Sequence, residues 1–317
     1  MVYTVQVPIH GNIGSEVRCA QMVAVGNKLS LLAQQLLVFD AQGWAQHDFY
    51  DVFARSRADL ERYSQRPLSA ADLLVLGCGY NYPDVLLYAP SVRSASGVDV
   101  LPAYYRDGLG ASLRAAWSAG GHRGYQIAAA LGRRVHFRRY YRHLARLTDG
   151  SLDHRTPQIE SYDGTHLPWA DEHFDLVISN AVFEHVAECP AVVADLARVT
   201  RPGGISYHLW HNYFSYTGGH QPPRLCAQAP WGHLRGIHHK SGLNRLRPSE
   251  IERAFSERFE ILDLFSVDTH HQKRGVDADY QPDHADALTP EIERELAEYD
   301  QDLLLTRAYL IVARKPA

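Results

Sequence analysis

Apolar residues along the chain follow two rhythms, and the change between them comes near residue 70. Upstream, Leu31, Leu32, Leu36 and Leu37, then Phe49, Val52 and Phe53, recur at helical spacing, which predicts mainly helix over 2–68. From Ala71 onward the apolar positions gather into short unbroken runs separated by polar stretches. These predict strands over 73–76, 96–100, 158–161, 174–179 and 204–210, with one helix after the first strand and another over 190–199. Two further strands are read over 259–267 and 303–313, the second edge-like because Arg307 and Arg314 punctuate it. Strands interleaved with helices predict an α/β fold, a parallel sheet with helices on both faces.

Three stretches interrupt that alternation, at about 101–155, 211–245 and 269–300. Long insertions in compact domains usually carry function. The expected organisation is therefore a helical cap or lid over 1–70 and one α/β domain over 71–317, with the insertions shaping the substrate pocket. In the second insertion and the strand before it, Trp210, Tyr213, Phe214, Tyr216 and Trp231 are candidates for an apolar wall around a ring-bearing substrate. The first insertion carries Arg133, Arg134, Arg138, Arg139, Arg142 and Arg146 on a helical stretch, where a solvated face is the default and a phosphate partner the alternative.

Composition narrows the partners. With 32 basic against 36 acidic residues the net charge is -4, so nothing draws the whole chain toward nucleic acid or an anionic membrane, and small molecules are the expected partners. Cys19, Cys78, Cys189 and Cys226 form no close pair, which points away from a disulfide framework and toward a reducing, cytoplasmic setting. The first residues lack the basic start and apolar run of an export signal, and no apolar stretch approaches the roughly 20 residues of a membrane helix. The loop histidines His220, His233, His238 and His239 come with no HxxxH or HExxH spacing, so no metal site is expected. Nothing in the sequence opposes a homodimer.

The candidate chemistry begins where the first strand stops on Gly77-Cys78-Gly79-Tyr80-Asn81. Two glycines let the backbone turn sharply and approach a ligand, and the helix behind aims its positive end there. Asp99 closes the next strand about 20 residues on, the distance at which a strand-turn-helix-strand unit sets a carboxylate beside a ribose. A nicotinamide fingerprint needs a third glycine where Tyr82 stands, so a dinucleotide-dependent oxidoreductase is disfavoured.

Further on come Asp163-Gly164-Thr165-His166-Leu167-Pro168, then Phe174-Asp175-Leu176-Val177-Ile178-Ser179-Asn180, then Phe183-Glu184-His185-Val186, and finally Arg201-Pro202-Gly203-Gly204. With the glycine turn, this succession resembles the class I S-adenosylmethionine-dependent methyltransferases, in particular the type 11 group, over about 72–210. The resemblance implies a Rossmann-like doubly wound, mostly parallel seven-stranded sheet with an antiparallel C-terminal strand. It implies S-adenosyl-L-methionine as cofactor, leaving as S-adenosyl-L-homocysteine. Gly77, Cys78, Gly79 and Asn81 would run beneath its amino-acid part, Asp99 with Val100 would meet the ribose, Asp163 with Gly164 the adenine, and Asn180 the methyl group. The function implied is methyl transfer to a small-molecule acceptor at oxygen or nitrogen, with a sugar or secondary metabolite as the guess.

Val75 stands where that family usually has an acid, and Asn81 where it usually has a third glycine. These two departures keep a catalytically inactive S-adenosylmethionine-binding scaffold as the alternative. For the proton acceptor the candidates are His211, His208 and His185. His211, nearest the loop after the fifth strand, is preferred, because His208 and His211 face opposite ways on an extended segment. Amino-group base methylation would want two prolines and an aromatic after the fourth strand, where Asn180-Ala181-Val182-Phe183 stands. Cytosine-C5 methylation would want Pro-Cys, where Cys189-Pro190 has the reverse order.

Overall fold

The computed structural model describes residues 40–79, 82–100, 110, 123–152, 158–162, 164, 166–238 and 242–317, with backbone alone for 123–134. The chain divides into two compact units, Met1–Phe49 with Ala103–Leu152, and Tyr50–Pro102 with Asp153–Ala317. In the first, Asp40 caps the short helix Ala41–Gln46 by accepting the Gly43 N–H at 2.9 Å. Its long helix, Arg123–Leu147, buries His136, Tyr140, Tyr141 and Leu144 and leaves Arg138, Arg139, Arg142 and Arg146 exposed. These arginines form the solvated face that helical periodicity predicts; the side chains of Arg133 and Arg134 lie outside the described residues.

The second unit is built on a seven-stranded sheet. Its strands are β1 (Asp72–Leu76), β2 (Ser94–Asp99), β3 (Gln158–Ser161), β4 (Phe174–Asn180), β5 (Thr200–His211), β6 (Glu260–Val267) and β7 (Ala308–Arg314). They lie in the order β3-β2-β1-β4-β5-β7-β6. The first five are mutually parallel, and β7 runs antiparallel to both neighbours. Parallel strands need long crossovers and covered faces, which is why β1 and β4 are buried almost end to end. Leu74, Val98, Val177, Trp210 and Ile311 pack with Phe183, Leu196 and Phe255 into the main core.

Two expectations are corrected at the C-terminus. Leu303 and Leu304 do not begin the last strand. They belong to the short helix Gln301–Leu305, where the Thr306 hydroxyl donates to the Asp302 carbonyl at 2.7 Å. An apolar run of this length serves either structure, and here the leucines fill a small core with Tyr216, Trp231, Ile292 and Leu296. Nor is β7 an edge strand. It lies between β5 and β6, because Arg307 precedes it and Arg314 ends it, so neither guanidinium enters the packed middle.

Strand order, not direction, reverses between the parallel neighbours β1 and β4, and such a switch point opens a crevice at the carboxyl ends of the strands. At the opposite, amino end, charge is used for structure. Arg93 Nε donates to Asp72 Oδ1 at 2.8 Å and Arg201 Nη1 to Asp175 Oδ2 at 2.5 Å, while Asp175 also accepts the Asp72 N–H at 2.9 Å. The Arg93 guanidinium, aided by Ser94 and Arg201, holds the Asp72 carboxyl well below the usual carboxylate range.

Candidate active site

The glycine turn after β1 hangs on β2. The Val98 carbonyl accepts the N–H groups of Gly77 and Cys78 at 2.8 and 3.1 Å, and the Gly79 N–H donates to Asp99 Oδ2 at 2.9 Å. Gly77 has φ of +67°, and a Cβ there would lie 2.3 Å from Val182 Cγ2. The turn therefore packs directly against the loop that leaves β4, and only glycine satisfies both the backbone and the space. The Cys78 side chain points into the protein, where burial, with the nearby Asp99 carboxylate, pushes its thiol up. Behind the turn the helix Pro83–Tyr88 starts on a buried Tyr82 in the left-handed region, at φ of +37°.

Asp99 ends β2 half-buried, and its backbone carbonyl accepts the Tyr162 N–H at 3.0 Å. Val100 lies beyond the strand with 64% of its surface exposed. Asn81 and Asp163 lie outside the described residues, while Gly164 has φ of +91° and open space where a side chain would be. Leu167, on the same segment, is fixed by Asp195, whose carboxylate accepts the Leu167 N–H at 2.5 Å and the Arg198 Nε–H at 2.7 Å. Asn180 is the last residue of β4. Ala181 follows in the left-handed region at φ of +56°, and its N–H donates to the Leu209 carbonyl at 2.9 Å. A non-glycine residue in that region is held only where its surroundings over-determine it, which is common at functional sites.

The three candidate histidines separate clearly. His208 is fully buried, with Nδ1 2.8 Å from the Ser179 hydroxyl, Nε2 2.7 Å from the Ser206 hydroxyl, and the rings of Phe183 and Phe255 against it. Both nitrogens are occupied and no face is open, so His208 is corrected from proton acceptor to packing residue. His211 ends β5 part-exposed, with Nδ1 2.9 Å from Glu184 Oε1. His185 follows Glu184 on the short turn Phe183–His185, and its Nδ1 lies 2.8 Å from the Gly242 carbonyl. Asn244 clamps this turn, its Nδ2 reaching the carbonyls of Phe183 and Val186 at 2.5 and 2.8 Å.

Glu184 is the residue that sequence reasoning passed over, although it stands in the motif beside His185. It is 97% buried, since only 3% of its surface is exposed. Burial opposes its charge, yet His211 opposite and His185 beside it hold the carboxyl below the usual carboxylate range. The second insertion adds His220, whose ring centroid is 5.2 Å from that of His185 and 5.4 Å from that of His211. The expected aromatic wall does not form. Trp210 lies in the main core, and Trp231 and Tyr216 in the small one, whereas Tyr213 meets the Arg245 guanidinium at 5.4 Å. The insertion needs these rings as its own core because it departs from the sheet. Asn212 fastens its root, with Nδ2 2.7 Å from both the Leu303 and Thr306 carbonyls.

Buried histidines give the unit an acid-sensitive stability. Burial lowers His208 to about 3 and His233, whose Nε2 donates to the Tyr213 carbonyl, to about 4, against an ordinary 6.5. Between about pH 6.5 and 4 the unfolded chain binds more protons than the folded one. Stability present above pH 6.5 is therefore lost as pH falls, by up to about 1.4 kcal/mol per pH unit for each ring. Urea denaturation at a series of pH values measures the slope. His208→Gln keeps a polar group between the two serines and should flatten it; a slope identical to wild type would reject the assignment.

Comparison with known proteins bears on the same segments. A family profile described as a methyltransferase domain matches residues 131–207, which takes in β3, β4 and the first part of β5 and begins after the glycine turn. Uncharacterized methyltransferases of Mycolicibacterium vanbaalenii and Mycobacterium avium are 44% and 43% identical over 61 residues, 18% of this chain. The chain spans 23% of the length of these curated relatives. Among solved structures, the (4+2)-cyclase SpnF is 18% identical with a TM-score of 0.44, over 83% of this chain and 80% of its own. A putative methyltransferase from Bacillus halodurans is 16% identical with a TM-score of 0.42, over 82% and 98%. The sheet order with its reversed β7 is the one that the resemblance implies, and the methyltransferase-domain match falls on residues 131–207 of the chain.

Proposed function

We propose that the protein transfers a methyl group from S-adenosylmethionine to a hydroxyl or amine of a small molecule. The observation that carries this is the pairing of the left-handed glycine turn with Asp99 at the switch point, through the Gly79 N–H bond to the carboxylate. A carboxylate at that place suits a vicinal diol, since it offers several lone pairs to two hydroxyls. Gly77 and Gly79 would hold the amino-acid end of the cofactor, Asp99 its ribose, Asp163 and Gly164 its adenine, and Asn180 would stand by the methyl group. When bound, the cofactor supplies a methyl carbon activated by its sulfonium.

The chain's own residues would then orient the acceptor, exclude water and take its proton. With His211 Nδ1 directed at Glu184, the lone pair lies on Nε2, the atom that would accept the proton. The buried carboxylate fixes that tautomer and stabilises the cation that forms. The second and third insertions, joined through Tyr216, Trp231, Ile292 and Leu296, are the proposed acceptor-side cover; of the cap expected over 1–70, residues 1–39 lie outside the described residues. A cytoplasmic setting is part of the proposal; no described helix is long and apolar enough to cross a membrane.

Val75, buried in the middle of β1 where the family usually has an acid, favours a second reading, a scaffold that binds S-adenosylmethionine without turnover. A nicotinamide-dependent oxidoreductase is opposed by Tyr82 at the helix start and by the antiparallel β7. Calorimetry with S-adenosylmethionine, S-adenosylhomocysteine and NAD separates the three. Binding of the first two and release of S-adenosylhomocysteine with a hydroxyl or amine acceptor is the expected result. Binding without release across a panel of acceptors favours the scaffold, and tight NAD binding without S-adenosylmethionine binding sinks the proposal.

A further inference from the structure

We propose that Glu184, His185 and His220 form a binding site for one divalent transition-metal ion of the zinc class. One ligand atom from each of the three lies within 4.8 Å of the other two. A tetrahedral ion bound at about 2.0–2.1 Å needs ligand atoms about 3.4 Å apart, so modest side-chain rotation closes the site. The donor set is two imidazoles and one carboxylate. That set suits zinc, cobalt or nickel, and offers too few oxygens for calcium or magnesium.

Three features argue for a built site rather than a chance cluster. The Glu184 carboxylate is 97% buried, as its 3% exposure shows, and its Oε2 has no hydrogen bond. A buried anionic oxygen without a donor is costly, and a bound cation is one of the few partners that offset it. His185 is oriented as metal-ligating histidines commonly are. Its Nδ1 is held by the Gly242 carbonyl at 2.8 Å, which leaves the lone pair on Nε2, and Nε2 is buried with no hydrogen bond. His220 is carried to the cluster on a constrained turn. Its φ is +50°, its N–H donates to the Thr217 carbonyl at 2.9 Å, and Gly219 before it packs so close to His233 that a Cβ would lie 2.5 Å from the ring.

His211 completes the arrangement from outside, with Nδ1 2.9 Å from Glu184 Oε1. The three ligands leave a fourth position for water or for a donor atom of a small molecule. Because Glu184 and His185 follow β4 and His211 ends β5, the ion would lie on the acceptor side of the proposed methyl-transfer site. Metal binding itself does not depend on that reading.

The 317-residue chain, stripped with a chelator, is titrated with Zn2+ and with Co2+, and read by metal content after desalting and by the visible absorption of Co2+. One ion per chain is expected, with a tetrahedral or five-coordinate cobalt spectrum. His220→Ala, on the second insertion, should weaken binding on the order of 100-fold, and His185→Ala similarly. Glu184→Gln carries the greater folding risk, so His220→Ala is the deciding variant, with far-ultraviolet circular dichroism to confirm its fold. His270→Ala, exposed elsewhere, should keep the full complement. A wild-type chain that retains no ion, or a His220→Ala chain that binds as wild type does, overturns the site. Zinc binding without S-adenosylmethionine binding would remove the methyl-transfer reading and leave the metal site standing; the opposite pair of results removes the metal site alone.

Discussion

Asp99→Ala is expected to weaken S-adenosylmethionine binding by about 100-fold, the equivalent of roughly 3 kcal/mol, the sum of two charge-assisted hydrogen bonds to ribose hydroxyls. The loss has a second component in this chain. Asp99 Oδ2 also accepts the Gly79 N–H, so alanine removes the partner that holds the glycine turn. Asp99→Asn distinguishes the two effects because its amide oxygen still accepts from Gly79 while the charge is gone. Its expected loss is about tenfold, one charge-assisted bond reduced to a neutral one. Calorimetric titration of each variant measures both, and an unchanged dissociation constant in Asp99→Ala would remove this residue from the cofactor site.

His211→Ala is expected to lower turnover by about 10²–10⁴, the usual contribution of a positioned proton acceptor. The dissociation constant for S-adenosylmethionine should stay within about twofold, because no part of His211 lies on the glycine turn or on Asp99. The readout is release of S-adenosylhomocysteine with an accepted substrate. Glu184→Gln should act through His211. A neutral amide cannot stabilise the imidazolium, so the turnover of this variant should fall while cofactor affinity stays. Wild-type turnover in His211→Ala rejects the base assignment and points to an acceptor that needs no proton removed.

Much of the cofactor side was legible from residue order. Gly77, Gly79 and Asp99 are local features, separated by one strand-turn-helix-strand unit, and the geometry of that unit is short-range. Their expected placement at the carboxyl edge agrees with the bonds from Gly77, Cys78 and Gly79 into β2. The acceptor side was only half legible. Alternation along β5 correctly set His208 and His211 on different faces, but did not show that Ser179 of the neighbouring strand would close around His208. Glu184 and His220 were equally out of reach, since what joins them is the fold of the second insertion.

The C-terminal region carries the same lesson. A run of leucines, isoleucine and valine with arginines at its ends is compatible with an edge strand, a buried strand or a helix followed by a strand. Burial chose among them, placing Leu303 and Leu304 under the second insertion and Leu310 to Ala313 between β5 and β6.

The sequence by itself determined the α/β class, the glycine turn, the acid that ends β2 and the motif order, because helix period, strand length and glycine conformation are settled within a few residues. Tertiary structure alone decided which strand lies beside which, that His208 is sealed and His211 open, and that Glu184 and its neighbour His185 sit beside two histidines from distant segments, His211 and His220. Those outcomes depend on desolvation, which a residue acquires only from the neighbours that folding brings to it.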